Sequence, residues 1–276
     1  MALGRKYKRS LQESTQRSPQ EPDSAGNVAR RTLYEMLIAA GPAINQRLAV
    51  LNWSEIYASL NDFGYALTPP LLTASECESL INLYPGEEHF RSHVIMERYR
   101  FGRGDYKYFH YPLPEIVQGL RDPTYSYLAP IANQWNRTLG VKQQFPPNHK
   151  DFLATCKKQG QTRATPLLLH YQAGDFNCLH RDLYGKVAFP LQMTCFLSQP
   201  GADYEGGEFV LVEQQPRAQS KAEVIAPSQG QIVIFATQFR PAKGKRGFYK
   251  VSLKHGVSRI RRGVRFTLGI IYHDAE

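Results

Sequence analysis

Cysteine is scarce: four residues in 276 (Cys77, Cys156, Cys178 and Cys195), with no two of them in a CxxC pair. That absence excludes a disulfide framework and a zinc cage of paired cysteines, and it predicts buried thiols in a reducing compartment. Long hydrophobic runs are also missing. None approaches the ~20 residues of a bilayer-spanning helix, and Met1 to Arg31 lacks the continuous apolar core of a secretory signal, so the expectation is a cytoplasmic protein with no membrane partner. A hydrophobic share of 42%, an aromatic share of 12% and a charged share of 21% exclude a mainly disordered or fibrous chain. At roughly 150 residues per domain the length allows one large domain or two small ones.

Acidic residues are nearly absent from one part of the chain. Between Arg217 and Arg265 twelve Lys and Arg residues meet a single acid, Glu223, so this stretch carries +11 while the whole chain carries +10. A basic stripe suits a phosphate-rich partner, because each neutralised phosphate releases counterions. A solvated face that only maintains solubility is the alternative.

Residues 1–31 mix Arg, Lys, Ser, Gln, Pro and Glu without apolar periodicity, which predicts a disordered basic arm. Residues 32–160 read as a helix-rich supporting region. Apolar spacing predicts two helices between Thr32 and Gly64 (Leu33, Met36, Leu37; then Leu48, Leu51, Ile56, Leu60), broken near Gly41 and Pro42. Thr73 followed by Glu76 predicts a capping box opening a helix that runs to Leu83. Further helices are expected over Pro114–Leu139, with a break near Asp122-Pro123, and over Asn148–Lys158. From 161 to 276 the pattern changes to β-rich runs at Pro166–Gln172, Val187–Ser198, Glu208–Glu213, Gln231–Thr237, Gly247–Leu253 and Val264–Tyr272. The fold class is therefore α+β: N-terminal and flanking helices, then a β-core of jelly-roll type.

The chemistry concentrates around His180 and Asp182. In extended chain a spacing of two turns both side chains to one face. His255, just after the Gly247–Leu253 run, is the candidate third ligand. Together they would make a two-histidine, one-carboxylate face, leaving three positions of a non-haem ferrous ion open to a chelating co-substrate and dioxygen. Taken singly, an HxD pair is common and a lone histidine is usually structural. Tyr171 precedes His180 by nine residues and Arg265 follows His255 by ten. An antiparallel core would return Arg265 to the same cavity, where its fork of N–H donors suits a carboxylate. Thr267 shares its face and adds a hydroxyl. Otherwise Arg265 is one more member of the basic stripe and Tyr171 a core aromatic. His110, His149 and His170 read as structural, and the adjacent His273 and Asp274 as a poor ligand pair.

The ordered set Tyr171, His180, Asp182, His255 and Arg265 on a β-rich background resembles the iron(II) and 2-oxoglutarate-dependent dioxygenase superfamily. The resemblance implies a double-stranded β-helix and an enzyme with His180, Asp182 and His255 as catalytic iron ligands. It implies Arg265 as the partner of the distal carboxylate of 2-oxoglutarate, assisted by Tyr171 and Thr267. The implied cofactor and co-substrates are Fe(II), 2-oxoglutarate and O2, with ascorbate as an auxiliary reductant; decarboxylation of 2-oxoglutarate to succinate and carbon dioxide generates the oxidant. The stretches RYRFGRGDYKYFHYPLP, DLYG, GGEFVLVEQQPRAQS and RFTLGIIYHD are similar to a bacterial family described as oxygenases acting on damaged nucleic acid.

Within the superfamily, the bend with Tyr171 and Gly174 is similar to AlkB-type nucleic-acid demethylases. Those enzymes carry a second arginine six residues after the first, and here that position is Ile271. The ten-residue step from His255 to Arg265 and the Gly206-Gly207-Glu208 turn look closer to prolyl hydroxylases. The segment Arg98–Tyr111 interleaves six aromatics with four basic residues. Arg103, Tyr106 and Tyr108 are its candidate substrate residues, able to stack a base and hold its phosphates; the alternative is a strand with aromatics inward and cations outward. The leading reading is oxidative demethylation of alkylated nucleic acid, a repair reaction. The others are a hydroxylase of prolyl or other protein residues and a non-catalytic nucleic-acid or metal-binding module.

Overall fold

Residues 43–182, 185–245 and 247–276 are described by the computed structural model. The arm over 1–31 and the first predicted helix, with Leu33, Met36 and Leu37, lie outside the described residues. The helices that follow are α1 (Ile44–Ala49), α2 (Trp53–Phe63) and α3 (Ala74–Ile81). The predicted capping box opens α3: Thr73 Oγ1 accepts from the Glu76 N–H, and the Glu76 carboxylate accepts from the Thr73 N–H. Arg47 then clamps the same carboxylate at 2.5 and 2.7 Å, tying α1 to α3.

Helix α4 (Glu115–Thr138) corrects one expectation, because it runs unbroken through Pro123 and Pro130. A proline inside a helix costs about 3 kcal/mol. Val117, Leu120, Tyr125, Leu128 and Trp135 are buried along one face of α4, at about 1.5–3 kcal/mol for each large apolar side chain, which outweighs the break. Helix α5 (His149–Lys158) matches its predicted span.

The strands form two antiparallel sheets. Before residue 160 lie β1 (Tyr65–Leu67), β2 (Phe90–Ile95), β3 (Gly102–Arg103) and β4 (Asp105–Phe109). Afterwards come β5 (Leu167–Gln172), β6 (Phe176–His180), β7 (Leu191–Phe196), β8 (Tyr204–Gly206) and β9 (Phe209–Gln214). The last are β10 (Lys221–Ile225), β11 (Ile232–Ala236), β12 (Phe239–Gly244), β13 (Gly247–Val257) and β14 (Ile260–Ile270). One sheet runs β1-β11-β7-β14-β5-β4-β2 with β8 on β14, and the other β10-β9-β13-β6-β3 with β12 on β13. The supporting region is thus not only helical. Strands β1, β2 and β4 extend the larger sheet and β3 the smaller, so a division at residue 160 cuts through both.

The pleat of the larger sheet positions the site. Leu168, Leu268 and Ile270 join the core that also holds the helix residues Leu80, Leu120 and Tyr125. Their neighbours Leu167, Leu169, Tyr171, Arg265, Thr267 and Gly269 face a cavity lined also by strands of the smaller sheet. Arg265 pairs in register with Tyr171, Thr267 with Leu169 and Gly269 with Leu167. A slip of one residue would send the arginine into the helix layer.

Arg121 on α4 fastens the C-terminal end of this sheet. Fully buried, it donates to Asp274 at 2.9 Å and to the carbonyls of Ile271 and Tyr272. His149 bridges Asp122 and the Tyr272 carbonyl, and His110 bonds the carbonyls of Glu88 and Tyr111. Asp274 is engaged by Arg121 and Tyr111, away from the cavity. His110 and His149 thus serve the scaffold, in line with the expectation from the sequence.

Candidate active site

Strand β6 delivers His180 at its last residue, Asp182 follows two residues on, and β13 places His255 directly opposite His180 in register. The two strands approach closely because Gly256 lacks a side chain: a Cβ there would lie 2.7 Å from the Asn177 carbonyl oxygen. One potential ligand atom from each of His180, Asp182 and His255 lies within 4.8 Å of the others. His180 Nε2 is 3.5 Å from Asp182 Oδ1, and His255 Nε2 is 3.3 Å from Asp182 Oδ2. Cis ligands on metal bonds of about 2.1 Å stand about 3 Å apart, so the donor set suits a single divalent ion.

The surroundings favour that use. His180 Nδ1 lies 2.7 Å from the Cys178 carbonyl, a contact that orients the ring so that Nε2 faces Asp182. Burial raises the Asp182 carboxyl, but hydrogen bonds from His180 and His255 outweigh it and hold the group well below the usual carboxylate range. Burial lowers His255 and keeps its imidazole neutral, whereas in His180 the Asp182 carboxylate overcomes desolvation and the net shift is upward. Gln192 on β7, which sequence reasoning missed, donates to Asp182 Oδ2 at 2.6 Å and lies 3.4 Å from His255 Nε2. Its signal was a polar residue at alternate spacing with Thr194 in an apolar run, and both line the cavity.

Arg265 is 1% exposed, and its three guanidinium nitrogens have no hydrogen-bond partner among the described residues. The rings of Phe196, Tyr171 and Tyr204 surround it at 5.0, 5.4 and 5.8 Å. Burying an unpaired guanidinium costs several kcal/mol, which cation–π contacts offset only in part, so the position is built for an anion. Tyr171 is held neutral, pushed up to about 12 by burial against the opposing charge of Arg265. Its phenol lies 3.4 Å from Asn177 Nδ2, and Thr267 lines the same wall.

The cavity holding both groups has a volume of about 220 Å³, several times the ~30 Å³ share of one water. Tyr106 and Tyr108 line it, but Arg103 is exposed outside it, 3.9 Å from Glu97. The expected arrangement of cations outward is corrected at Lys107, which is buried and donates to the carbonyls of Tyr84 and Gly86 at 2.9 and 3.1 Å. The basic stripe is corrected as well. Arg240 is buried against Glu213, Arg262 and Arg261 meet Glu205 and Glu208, and Arg265 faces inward. Acids on β8, β9 and the turn between them therefore pair three of the stripe's twelve cations, Arg240, Arg261 and Arg262.

A family described as "Oxygenase, catalysing oxidative methylation of damaged DNA" matches residues 104–275. Two uncharacterized proteins of Mycobacterium tuberculosis, from strains CDC 1551 and H37Rv, are each 45% identical over 164 residues, covering 59% of this chain and 70% of theirs. Among solved structures, a prolyl-4-hydroxylase of Pseudomonas putida superposes with a TM-score of 0.50 at 14% identity, over 81% of this chain and 99% of that one. An oxidoreductase of the 2OG-Fe(II) oxygenase family from Burkholderia pseudomallei gives 0.47 at 14% identity, over 82% and 93%. Among the described residues no helix is long and apolar enough to cross a membrane. The chain belongs to the family of oxygenases described as catalysing oxidative methylation of damaged DNA; it is an oxidoreductase, and it shares its fold with the prolyl-4-hydroxylase of Pseudomonas putida.

Proposed function

We propose that this oxygenase oxidises alkylated bases in nucleic acid, using Fe(II), 2-oxoglutarate and O2 on a double-stranded β-helix. The observation that carries the reading is the convergence, in one cavity, of the His180, Asp182 and His255 donor set with the buried, unpartnered guanidinium of Arg265. His180, Asp182 and His255 would hold the iron. Arg265 would take the distal carboxylate of 2-oxoglutarate, with the hydroxyls of Thr267 and Tyr171 beside it. Bound iron, 2-oxoglutarate and dioxygen supply the oxidising power, with succinate and carbon dioxide as co-products.

The protein's own groups do the positioning. The His180 ring is oriented through the Cys178 carbonyl, and Gln192 fixes the Asp182 carboxylate. Tyr106 and Tyr108 meet edge to face at 5.3 Å and offer an aromatic wall to a planar base. Hydroxylating an N-methyl group gives a hemiaminal that releases formaldehyde, so this chemistry removes a methyl group rather than adding one. The family description supplies the damaged-DNA class, and the prolyl-4-hydroxylase named above supplies the peptide alternative for the assay.

The test begins with anaerobic titration of the full chain by Fe(II) and 2-oxoglutarate, read by the visible charge-transfer band of the chelate. Air is then admitted with a methylated oligonucleotide in one arm and a proline-containing peptide in the other. Formaldehyde and succinate in equal amounts from the oligonucleotide are expected. Hydroxyproline without formaldehyde would replace the nucleic-acid reading with the peptide one, and absence of the band in folded protein would remove both.

A further inference from the structure

The segment between β2 and β4 carries two aromatic side chains that the core does not use. Tyr99 is 59% exposed and Phe101 47%, and their rings stack 5.6 Å apart with 19° between planes. Large exposed aromatics in contact with each other mark a binding surface more often than an accident of folding. The backbone holds these two outward. Met96 is fully buried with Tyr171, Tyr204 and Ile260, the Phe101 N–H donates to the Met96 carbonyl, and the Cys178 N–H donates to the Phe101 carbonyl. Gly102, at φ 134°, lets β3 lie against β6 where a Cβ would meet the Phe176 carbonyl oxygen at 2.3 Å. Arg100 sits in the left-handed region at φ 60°, a strained conformation for an arginine and one concentrated at ligand-binding segments.

The pair stands at the mouth of the cavity, since Phe101 also lines it. Cations flank it. Arg98, Arg100 and Arg259 are exposed and make no ion pair among the described residues, with Arg259 6.0 Å over the ring of Phe176 next to β3. The acid among them, Glu97, lies 3.9 Å from Arg103. A stacked aromatic surface ringed by unpaired cations matches a base with its phosphates. A base paired within a duplex has both faces covered by its neighbours, whereas an unpaired base presents a free π-face.

We propose that Tyr99 and Phe101 form a stacking platform for an unpaired base next to the modified one, with Arg98, Arg100 and Arg259 holding the adjoining phosphates. The enzyme then takes single-stranded nucleic acid in preference to duplex. This rests on the nucleic-acid reading above.

The experiment measures binding rather than turnover, by fluorescence anisotropy of the full chain with a labelled oligothymidylate and with a labelled duplex of equal length. The single strand binds at least about tenfold more tightly than the duplex, and Tyr99→Ala and Phe101→Ala each weaken it about tenfold. Tyr99→Phe and Phe101→Trp, which keep a stacking face, retain binding, and Arg100→Gln lowers the slope of log affinity against log salt by about one. Unchanged thermal unfolding separates lost stacking from lost folding. If the alanine variants bind the single strand as the wild type does, or the duplex binds more tightly, the platform is refuted while the nucleic-acid reading stands. If the wild type binds neither oligonucleotide, both fall.

Discussion

Replacing Arg265 by methionine should strengthen the apoprotein and weaken its grip on 2-oxoglutarate. The two effects have one cause. In the apoprotein the guanidinium is buried, has no carboxylate partner among the described residues and sits among three aromatic rings, the Tyr204 phenol beside it. An uncompensated buried charge costs several kcal/mol and cation–π contacts return about 0.5–2 kcal/mol each; with the three contacts at the low end, about 1.5 kcal/mol in all, a net penalty of about 1–3 kcal/mol remains that a neutral side chain of similar length removes. At ~2 °C per kcal/mol for a chain of this size, Tm should rise by about 2–6 °C in calorimetry without ligand. With 2-oxoglutarate the sign reverses. Two charge-assisted hydrogen bonds at about 1.5–3 kcal/mol each are lost, so the Kd read from the chelate band should rise between about 150-fold and 25,000-fold. A lower apoprotein Tm would mean the guanidinium has an anionic partner within the fold. An unchanged Kd would mean the co-substrate carboxylate binds elsewhere.

Gln192→Leu removes the 2.6 Å hydrogen bond to Asp182, and Fe(II) affinity measured by chelator competition should fall about 10–100-fold, the usual cost of losing a partner that orients a ligand. His180→Ala and Asp182→Ala should each abolish the charge-transfer band while leaving far-UV circular dichroism intact, and a persistent band in both would exclude them as ligands. Arg121→Ala strands Asp274 in a buried setting; urea unfolding should show a loss of about 3–5 kcal/mol, whereas a loss under 1 kcal/mol would deny Arg121 its fastening role. Asp105 titrates outside the cavity. Burial raises its carboxyl, hydrogen bonds from His170, Tyr84 and His93 outweigh this, and it is held down to about 2. The folded state therefore prefers the ionised form, and the stability it lends is complete above pH 3.8 and lost as pH falls from there to about 2. Asp105→Asn should flatten that part of the stability profile, and a parallel acid loss in the variant would assign it to other groups.

What the sequence revealed follows from which physical signals are local. Strands β5, β7, β9, β11, β13 and β14 were legible because each is a run of apolar residues bounded by Gly, Pro or polar turns. Strands β1, β3 and β8 have two or three residues each, too short to show a period, and exist through pairing with distant partners. Strand β6, which carries His180, is partly exposed along its length and reads as loop. The HxD spacing nevertheless marked two members of the His180, Asp182 and His255 cluster, and the ten-residue step from His255 placed Arg265 in the same cavity. Gln192 was invisible because an amide within an apolar strand is informative only once its neighbours in space are known. The basic stripe misled for the same reason: its partners Glu205, Glu208 and Glu213 precede it in the chain and meet it only after the strands pair.

The charge pattern within the cavity bears on which part of a nucleic acid could enter. Arg265 lies at one end among aromatic rings, and Arg98, Arg100 and Arg259 lie exposed outside. Between these two positive zones the walls are Leu167, Leu169, Met193 and Ile271 with Tyr106 and Tyr108; the other arginine that lines the cavity, Arg181, is engaged by the Leu253 carbonyl and the Ser252 hydroxyl of β13. A phosphate drawn past the rim would lose its hydration without gaining a counter-charge, at a cost of several kcal/mol. A neutral base carrying a methyl group loses little by entering and gains aromatic contact. On the nucleic-acid reading proposed above, and with Ile271 where a second arginine would stand, phosphates would stop at the mouth and the base would pass inward, leaving the buried guanidinium of Arg265 to the co-substrate carboxylate.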